Sequence, residues 1–256
     1  MDVRSLASQA VRWPAKILFP PVCLGCRNLV GEPGTLCPDC WPGVRFLERP
    51  WCEVMGTPFA HEMGEGVVSA EAIADPPPFK RARSAVLYEG VPQRMARSLK
   101  FGDRTDLAPW MARWMVRAGA ELVTEADAVL PVPLHRYRFL ARRFNQSAEL
   151  SRAIARQTGL RHLAAVLIRR QSTRPQVGLT AAERETNLSG AFTVPPHLRP
   201  LIKNKRLILV DDVYTTGTTV KTATRALLAA GAGSVDVLTF ARVLPKDFAL
   251  GGVETI

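Results

Sequence analysis

Residues 207–219 read LILVDDVYTTGTT, in which four apolar residues are followed by two adjacent acids and then by four threonines around one glycine. A run that is apolar on both faces is typical of a strand inside a parallel sheet, so the sequence predicts a strand over residues 206–210. The helical spacing of apolar residues over 220–230 predicts a helix after the loop. Asp211 and Asp212 would then lie beyond the carboxyl end of the strand, where open α/β sheets bind their ligands.

The loop after the two acids has the composition of a phosphate site. Its residues are Thr215, Thr216, Gly217, Thr218 and Thr219. Backbone N–H groups at a helix start bind anions, and glycine allows the backbone to close around them. The neighbouring carboxylates would accept hydrogen bonds from vicinal sugar hydroxyls, or help to retain a Mg²⁺ ion carried by a pyrophosphate. An ordinary strand end, with threonine as helix cap and aspartate as turn former, accounts for one residue of each kind but not for both sets.

Beyond residue 78 the chain alternates between strand-like and helix-like patterns, which predicts an α/β fold with a twisted, mostly parallel sheet flanked by helices. Further strands are expected at residues 85–88, 128–132, 166–168 and 235–243. Helices are expected along an apolar stripe over 107–122, around 150–154 and around 181–188. The tryptophans and methionines of the first stripe are expected in the core.

Residues 1–78 form a predicted N-terminal domain, and residues 79–256 form the α/β domain. The first part begins with a predicted helix, whose apolar residues stand at helical intervals, holds all five cysteines and ends in three prolines. Two CxxC pairs, Cys23 with Cys26 and Cys37 with Cys40, are separated by ten residues, a spacing that presents four thiolates to one structural Zn²⁺. A redox pair or buried free thiols are the alternatives. The ion would replace the core that this segment cannot build.

Cys52 begins what resembles a second ribbon. In the CxxC…CxxC pattern of such a ribbon, the other three ligand positions are occupied by Met55, Ser69 and Ala72. Because one thiolate cannot hold a structural zinc, the sequence predicts one bound Zn²⁺ and a degenerate second ribbon that keeps its shape by packing. His61 is either a substitute ligand or an exposed loop residue.

Lys and Arg outnumber Asp and Glu by 34 to 23, which gives a formal charge of +11. Such a surface attracts polyanions such as nucleic acid, phosphates or anionic lipid, and the same charge also serves solubility. No apolar run approaches the roughly 18–20 residues that span a bilayer. The opening stretch lacks the apolar block of a signal peptide, and the cysteine pattern suits a reducing compartment. These features predict a cytoplasmic protein with no membrane span.

The stretch LILVDDVYTTGTT resembles the 5-phosphoribosyl-1-pyrophosphate (PRPP) motif of the type I phosphoribosyltransferases. The resemblance implies that Asp211 and Asp212 hold the ribose hydroxyls as catalytic residues, and that the threonine loop wraps the 5-phosphate. It also implies a hood loop over residues 169–178, which would close over the substrate and exclude water.

The same resemblance places a pyrophosphate loop in PVPLHRYR, where His135, Arg136 and Arg138 would stabilise charge on a leaving pyrophosphate. These cations, together with neighbouring aromatic residues, would alternatively clamp single-stranded nucleic acid. A solvated helix start is the third interpretation.

An N-terminal ribbon, the stretches PVPLHRYRFLARRFNQ and RPQVGLTAAERETNLSGAF, and the PRPP motif together resemble the ComF family of competence proteins over nearly the whole chain. In this family a double zinc ribbon precedes a phosphoribosyltransferase-like domain. Members take part in the uptake of transforming DNA, beside a helicase and single-strand-handling proteins. The chain departs from the family in its second ribbon, which lacks three ligands, and at Arg143, where many relatives have glycine.

The resemblance implies a cytoplasmic protein of natural transformation with a PRPP-type site. Its expected partners are PRPP or a related phosphorylated ribose, and single-stranded DNA or the proteins that handle it. Two other functions stay open. One is an active phosphoribosyltransferase that joins PRPP to a base or amine and releases pyrophosphate, and the other is a sensor that binds PRPP without turnover.

Overall fold

The computed structural model describes residues 20–134, 144–169 and 190–244. The strands within these residues are β1 Ala82–Leu87, β2 Ala128–Pro131, β3 Arg161–His162, β4 Ile168–Arg169, β5 Phe192–Thr193, β6 Arg206–Tyr214 and β7 Ser234–Arg242. The α-helices are α1 Ala70–Ala74, α2 Gly90–Phe101, α3 Ala108–Ala118, α4 Ala120–Glu125, α5 Gln146–Thr158 and α6 Thr218–Ala229. Short 3-10 helices span Trp41–Gly43, Thr105–Leu107 and Pro196–Leu201.

Five strands form one parallel sheet in the order β1-β7-β6-β2-β3. β4 and β5 form a separate antiparallel pair. The predicted fold class, an α/β fold with a parallel sheet flanked by helices, is therefore confirmed. Over the described part of the chain, every helix is too short or too polar to cross a bilayer. The helices predicted near the N terminus and at residues 181–188 lie outside the described residues.

The central strand β6 buries side chains on both faces of the sheet. Leu207 and Leu209 belong to one apolar cluster, whereas Ile208 and Val210 belong to the other. Helices α2, α3 and α5 cover the Ile208 face, and α6 covers the Leu207 face. The apolar run predicted a strand that is covered on both faces of the sheet, and this prediction is confirmed because both faces exclude water.

The helix predicted over residues 107–122 is divided into a 3-10 turn, α3 and α4. Gly119 lies between α3 and α4, and a Cβ atom there would lie 2.8 Å from a methyl carbon of Leu238 on β7. Met111 is fully buried, and Trp114 stacks on Phe240 with ring centroids 6.0 Å apart. The stripe is core as predicted, whereas α2 was not predicted at all.

The cysteine-rich segment packs on both faces of the sheet. Three of the four CxxC cysteines lie in the cluster of the α2 and α3 face, whereas Cys52 and Met55 lie in the opposite cluster. Between these two regions Phe46 pairs with Val86, so the connecting segment covers the edge of β1. Covering an edge strand blocks unwanted pairing with other chains. The domain boundary placed after residue 78 stays a prediction.

Candidate functional site

β6 carries both acids of the candidate site inside the strand. It pairs with β7 as far as Tyr214, whereas its pairing with β2 ends at Pro131 and Val210. The prediction that the strand ends at Val210 was therefore wrong, because pairing on one side is enough to continue it. Asp211 and Asp212 lie where β6 has lost its β2 neighbour, and both are partly exposed.

Asp211 is held by the start of helix α5. Its Oδ1 atom accepts a hydrogen bond of 2.8 Å from the Ser147 hydroxyl and one of 2.9 Å from the backbone N–H of Asp212. Burial and the negative charge of Asp212 raise the pKa of Asp211 to about 7, although the Ser147 hydroxyl acts in the opposite direction. Near neutral pH this carboxyl group can therefore both donate and accept hydrogen bonds, as a sugar hydroxyl requires.

Among the described residues, the Asp212 side chain interacts with no other side chain than that of its neighbour Asp211. Its Oδ1 atom accepts a hydrogen bond of 2.9 Å from the backbone N–H of Val213. Its second carboxylate oxygen makes no hydrogen bond to the described part of the chain, so it remains available for a ligand. The two acids thus differ, since Asp211 is held by a neighbouring helix and Asp212 only by its own strand.

The threonine loop leads from β6 into helix α6 with an uncapped helix start. Gly217 is the N-cap residue, with φ at 72°, and no side chain of the described residues caps the helix. The first turn holds no acid. Thr215 and Thr216 are exposed, and the Thr216 and Thr218 hydroxyls lie 2.8 Å apart. The alternative in which a threonine caps the helix does not describe this loop, and within the described part of the chain no side chain accepts a hydrogen bond from the first N–H groups of α6.

The predicted pyrophosphate-loop residues His135, Arg136 and Arg138 lie outside the described residues, as does Arg143. The described ends of this segment meet at the same edge of the sheet. Val132 donates a backbone hydrogen bond of 2.8 Å to the Val210 carbonyl, and the Asn145 side chain donates one of 3.0 Å to the Val132 carbonyl. Asn145 also caps α5. The segment therefore leaves and rejoins the described chain beside Asp211.

The hood loop was predicted over residues 169–178, and all of it except Arg169 lies outside the described part of the chain. Its flanks are paired, since Ile168 and Arg169 of β4 lie opposite Thr193 and Phe192 of β5. β5 in turn packs against α6, the helix that follows the threonine loop.

Sequence reasoning missed three residues around the site. Ser147 hydrogen-bonds to Asp211, while Tyr214 and Arg242 lie under the threonine loop with 4% and 3% of their surfaces exposed. Ser147 had a weak signal, because it follows the capping Asn145 at the start of a predicted helix. Tyr214 and Arg242 had none, since Tyr214 lies beyond the strand predicted over residues 206–210 and Arg242 is a single polar residue near the end of the strand predicted over 235–243.

The four predicted zinc ligands come together. The Sγ atoms of Cys23, Cys26, Cys37 and Cys40 all lie within 4.8 Å of one another, and those of Cys26 and Cys37 are 3.6 Å apart. Four sulfurs about 2.3 Å from a tetrahedral Zn²⁺ lie about 3.8 Å from one another. The donor set therefore fits zinc, which would hold the two knuckles together without taking part in chemistry.

Backbone donors prepare this cluster for a metal. The N–H groups of Gly25 and Cys37 lie 3.4 and 3.2 Å from the Cys23 sulfur. Burial alone would raise the pKa of Cys23, but these donors and the Cys26 N–H lower it to about 6. A thiolate is the form that binds zinc.

Cys52 repeats the backbone geometry of Cys23 without the other ligands. The N–H groups of Met55 and Ser69 lie 3.3 and 3.2 Å from its sulfur. Met55 and Ala72 are buried, and His61 is exposed. The structure thus agrees with a degenerate second ribbon that keeps its shape by packing, and with His61 as a loop residue.

Comparisons with known proteins match both halves of this arrangement. Residues 15–72 match the double zinc ribbon domain, and residues 144–246 match the phosphoribosyl transferase domain. The chain is 29% identical over 241 residues to the DNA utilization protein YhgH of Salmonella typhimurium (strain LT2), covering 91% of this chain and 95% of that protein. Competence protein F of Haemophilus influenzae is 34% identical over 120 residues, which cover 45% of this chain and 50% of that protein. Competence protein ComFC of Bacillus subtilis is 26% identical over 247 residues, covering 92% and 91%.

The fold and the two matched regions define a zinc-ribbon protein with a phosphoribosyltransferase-like domain. Four clustered cysteines within the matched ribbon indicate a structural Zn²⁺ site. The motif order predicted a ComF-type protein, and the comparisons agree with it: the chain combines both domains, and its relatives include proteins named competence protein F and competence protein ComFC.

Proposed function

We propose that the chain binds PRPP, or a closely related phosphorylated ribose, at the carboxyl edge of the sheet and acts in the cytoplasm in the uptake of DNA for natural transformation. One observation carries the ligand assignment. The uncapped start of α6, with no acid in its first turn, lies directly after the strand that holds Asp211 and Asp212. A phosphate dianion suits the first feature and vicinal hydroxyls suit the second.

In this proposal each part of the site holds a different part of the ligand. The N–H groups and hydroxyls of Thr215 to Thr219 hold the 5-phosphate. The two carboxylates accept hydrogen bonds from the ribose hydroxyls. Asp211 is held in place by Ser147, and Asp212 has a carboxylate oxygen that remains free for the ligand. A Mg²⁺ ion would enter with the pyrophosphate, since Mg²⁺ is usually bound through carboxylates and substrate phosphates together. His135, Arg136 and Arg138 would contact that pyrophosphate.

A calorimetric titration with PRPP and Mg²⁺ tests the ligand assignment. We expect the wild-type chain to bind, and Asp212→Asn to weaken binding at least about tenfold because a charged acceptor is lost. Asp127→Asn is the matched control. This carboxylate precedes β2 at the opposite edge of the sheet, where it accepts a hydrogen bond of 2.8 Å from the Arg206 N–H. Equal weakening in both variants, or no binding by the wild type, would overturn the assignment.

The retained acid pair also supports a second function, transfer of the ribosyl phosphate to a base or amine. The test is release of pyrophosphate from PRPP across a panel of bases and amines, with the Asp212→Asn variant as the blank. Release that depends on one acceptor establishes an enzyme. Binding without release across the whole panel favours a PRPP-binding protein without turnover.

The DNA part of the proposal is supported by relatives that are named for competence and DNA utilization and by the charge of +11. We propose single-stranded DNA, or the helicase and single-strand-handling proteins of competence, as partners. Direct binding predicts retention of a labelled oligonucleotide at low salt and a steep loss of affinity as salt is added. If the chain neither retains DNA at low salt nor captures those purified proteins, the proposed role in DNA uptake is contradicted.

A further inference from the structure

Arg242 is a buried cation at the end of β7. Its side chain donates hydrogen bonds of 2.8 Å to the Thr57 hydroxyl and 2.5 Å to the Met55 carbonyl. Within the described residues no carboxylate lies close enough to form an ion pair with it. Burying a guanidinium without an acid is costly, so a position that keeps one calls for a physical reason.

The guanidinium lies against the ring of Tyr214, its cross-strand neighbour on β6. The distance from Arg242 Cζ to the ring centroid is 4.1 Å, which places the cation on the aromatic face. Phe79 contacts the same ring edge-on, with centroids 6.5 Å apart. Tyr214 is thus held on one ring face by Arg242 of β7 and at the ring edge by Phe79, which precedes β1.

The hydroxyl end of Tyr214 supports the threonine loop at Gly217. A Cβ atom at Gly217 would lie 2.2 Å from the Tyr214 oxygen, so the tyrosine fills the place that a side chain at Gly217 would take. The Tyr214 hydroxyl has no hydrogen-bond partner in the described structure. Its contribution is therefore steric, and it determines where the backbone of the N-cap residue lies.

These contacts form a continuous path from the second ribbon to the threonine loop. Met55 occupies a ligand position of that ribbon, and its carbonyl accepts the hydrogen bond from Arg242. Arg242 then packs on Tyr214, and Tyr214 packs under Gly217. A ribbon that lacks three of its four metal ligands thereby reaches the loop through two buried side chains, those of Arg242 and Tyr214.

We propose that Arg242 is a positioning residue for the 5-phosphate, because it fixes Tyr214 between the zinc-free ribbon and Gly217 and so sets the backbone N–H groups of the loop. The inference rests on the proposed function, since it deepens the role of the same site. Arg242 does not contact the ligand itself. Its effect should therefore appear in affinity for the 5-phosphate and not in the ribose or pyrophosphate contacts.

The test compares Arg242→Met with Arg83→Met. Arg83 is an apt control because it is 1% exposed and also donates to a carbonyl of the second ribbon, that of Glu53 at 3.0 Å. It contacts no residue of the threonine loop. Both substitutions remove a buried guanidinium that joins the ribbon to the sheet, so both should lower the thermal midpoint.

Dissociation constants are measured for ribose 5-phosphate and for PRPP with Mg²⁺. We expect Arg242→Met to weaken both ligands by the same factor, about tenfold, and Arg83→Met to leave both within about twofold. Pyrophosphate alone should bind the Arg242→Met variant as it binds the wild type. Arg242→Lys keeps a cation over Tyr214 but loses the planar guanidinium, so it should recover part of the affinity that Arg242→Met loses. If Arg242→Met does not fold, Arg242→Lys is compared with the wild type in its place.

Unchanged affinity in both Arg242 variants would overturn the inference, as would an equal loss in Arg83→Met. In either case the wild type still binds and the proposed function stands. If the wild-type chain binds neither ribose 5-phosphate nor PRPP, the proposed function fails and this inference fails with it.

Discussion

The two ribbons share one backbone design but are held in place differently. In each, the N–H of the fifth residue donates to the carbonyl of the first cysteine, from Arg27 to Cys23 at 3.1 Å and from Gly56 to Cys52 at 2.7 Å. Both fifth residues have positive φ, at 69° and 63°. The first ribbon then brings four cysteine sulfurs together, whereas the second has a single cysteine, Cys52.

The second ribbon replaces metal ligands with contacts to the sheet. Arg83 and Arg242 donate to the carbonyls of Glu53 and Met55. A Cβ at Gly56 would lie 2.3 Å from the Ala82 carbonyl oxygen, so this turn packs directly on β1. Arg27, its counterpart in the first ribbon, is exposed. A zinc knuckle can therefore lose its metal when a neighbouring sheet supplies donors and buried surface.

The largest effect is expected from removing a ligand of the first ribbon. Purified chain should contain about one zinc per molecule, and Cys37→Ser should lose it together with several kcal/mol of stability. Metal analysis and urea unfolding measure the two quantities. Cys52→Ser should keep its zinc. A content of about two zinc ions in the wild type, or loss of zinc from Cys52→Ser, would contradict the distinction between the ribbons.

Restoring the missing ligands should turn the second ribbon into a metal site. The triple variant Met55→Cys, Ser69→Cys and Ala72→Cys should bind about one additional zinc, because the backbone donors to Cys52 already have the geometry of the donors to Cys23. Met55→Cys alone is the control and should bind no more than the wild type. If the triple variant folds and its zinc content does not rise, the two backbones are less alike than the hydrogen bonds indicate.

How much of this could be read from the sequence depends on how local each signal is. The doubly buried strand, the acid pair and the CxxC spacing are carried by residues close together in the chain, so the fold class, the position of the acid pair at the carboxyl edge of the sheet and the cluster of four cysteines were predictable. The end of β6 was not, because pairing with β7 decides it. Helix α2 was missed because Gly90 and Pro92 open it and polar residues dilute its stripe.

Contacts between distant segments left no pattern in the sequence. Ser147 reaches Asp211 across 64 positions, and Arg242 reaches Met55 across 187. Only the topology, which sets α5 beside β6 and the second ribbon under β7, brings these pairs together. Such residues support a site without belonging to its motif.

At neutral pH the Asp211 carboxyl group should lower the free energy of unfolding, whereas the zinc ribbon should raise it. The folded state keeps the Asp211 proton up to about pH 7, whereas the unfolded state loses it near pH 4. The protonated group therefore contributes its full stability below about pH 4, and this contribution is lost as the pH rises through 7. Asp211→Asn should therefore exceed the wild type in stability at pH 8 by about 1–3 kcal/mol, and the difference should vanish toward pH 4. Urea unfolding at several pH values measures this.

Asp127→Asn provides the opposite sign at the other edge of the sheet. The Arg206 N–H and the charges of Lys205 and Arg206 lower the pKa of Asp127, so its contribution is present at neutral pH and lost as the pH falls. This variant should be less stable than the wild type at pH 8. An Asp211→Asn variant that is also less stable at pH 8 would contradict a raised pKa at the ligand edge.

The smallest effect is expected from the surface contact between the second ribbon and α6. Lys221 donates to Asp75 at 2.6 Å, but the Asp75 side chain is 75% exposed, so solvent screens the pair. Asp75→Asn should cost less than about 1 kcal/mol in urea unfolding, and the loss should shrink further in high salt. Lys221→Met should behave in the same way. A larger loss in Asp75→Asn than in Arg242→Met would mean that the second ribbon is held to α6 by this surface contact and not through the buried side chains of Arg242 and Tyr214.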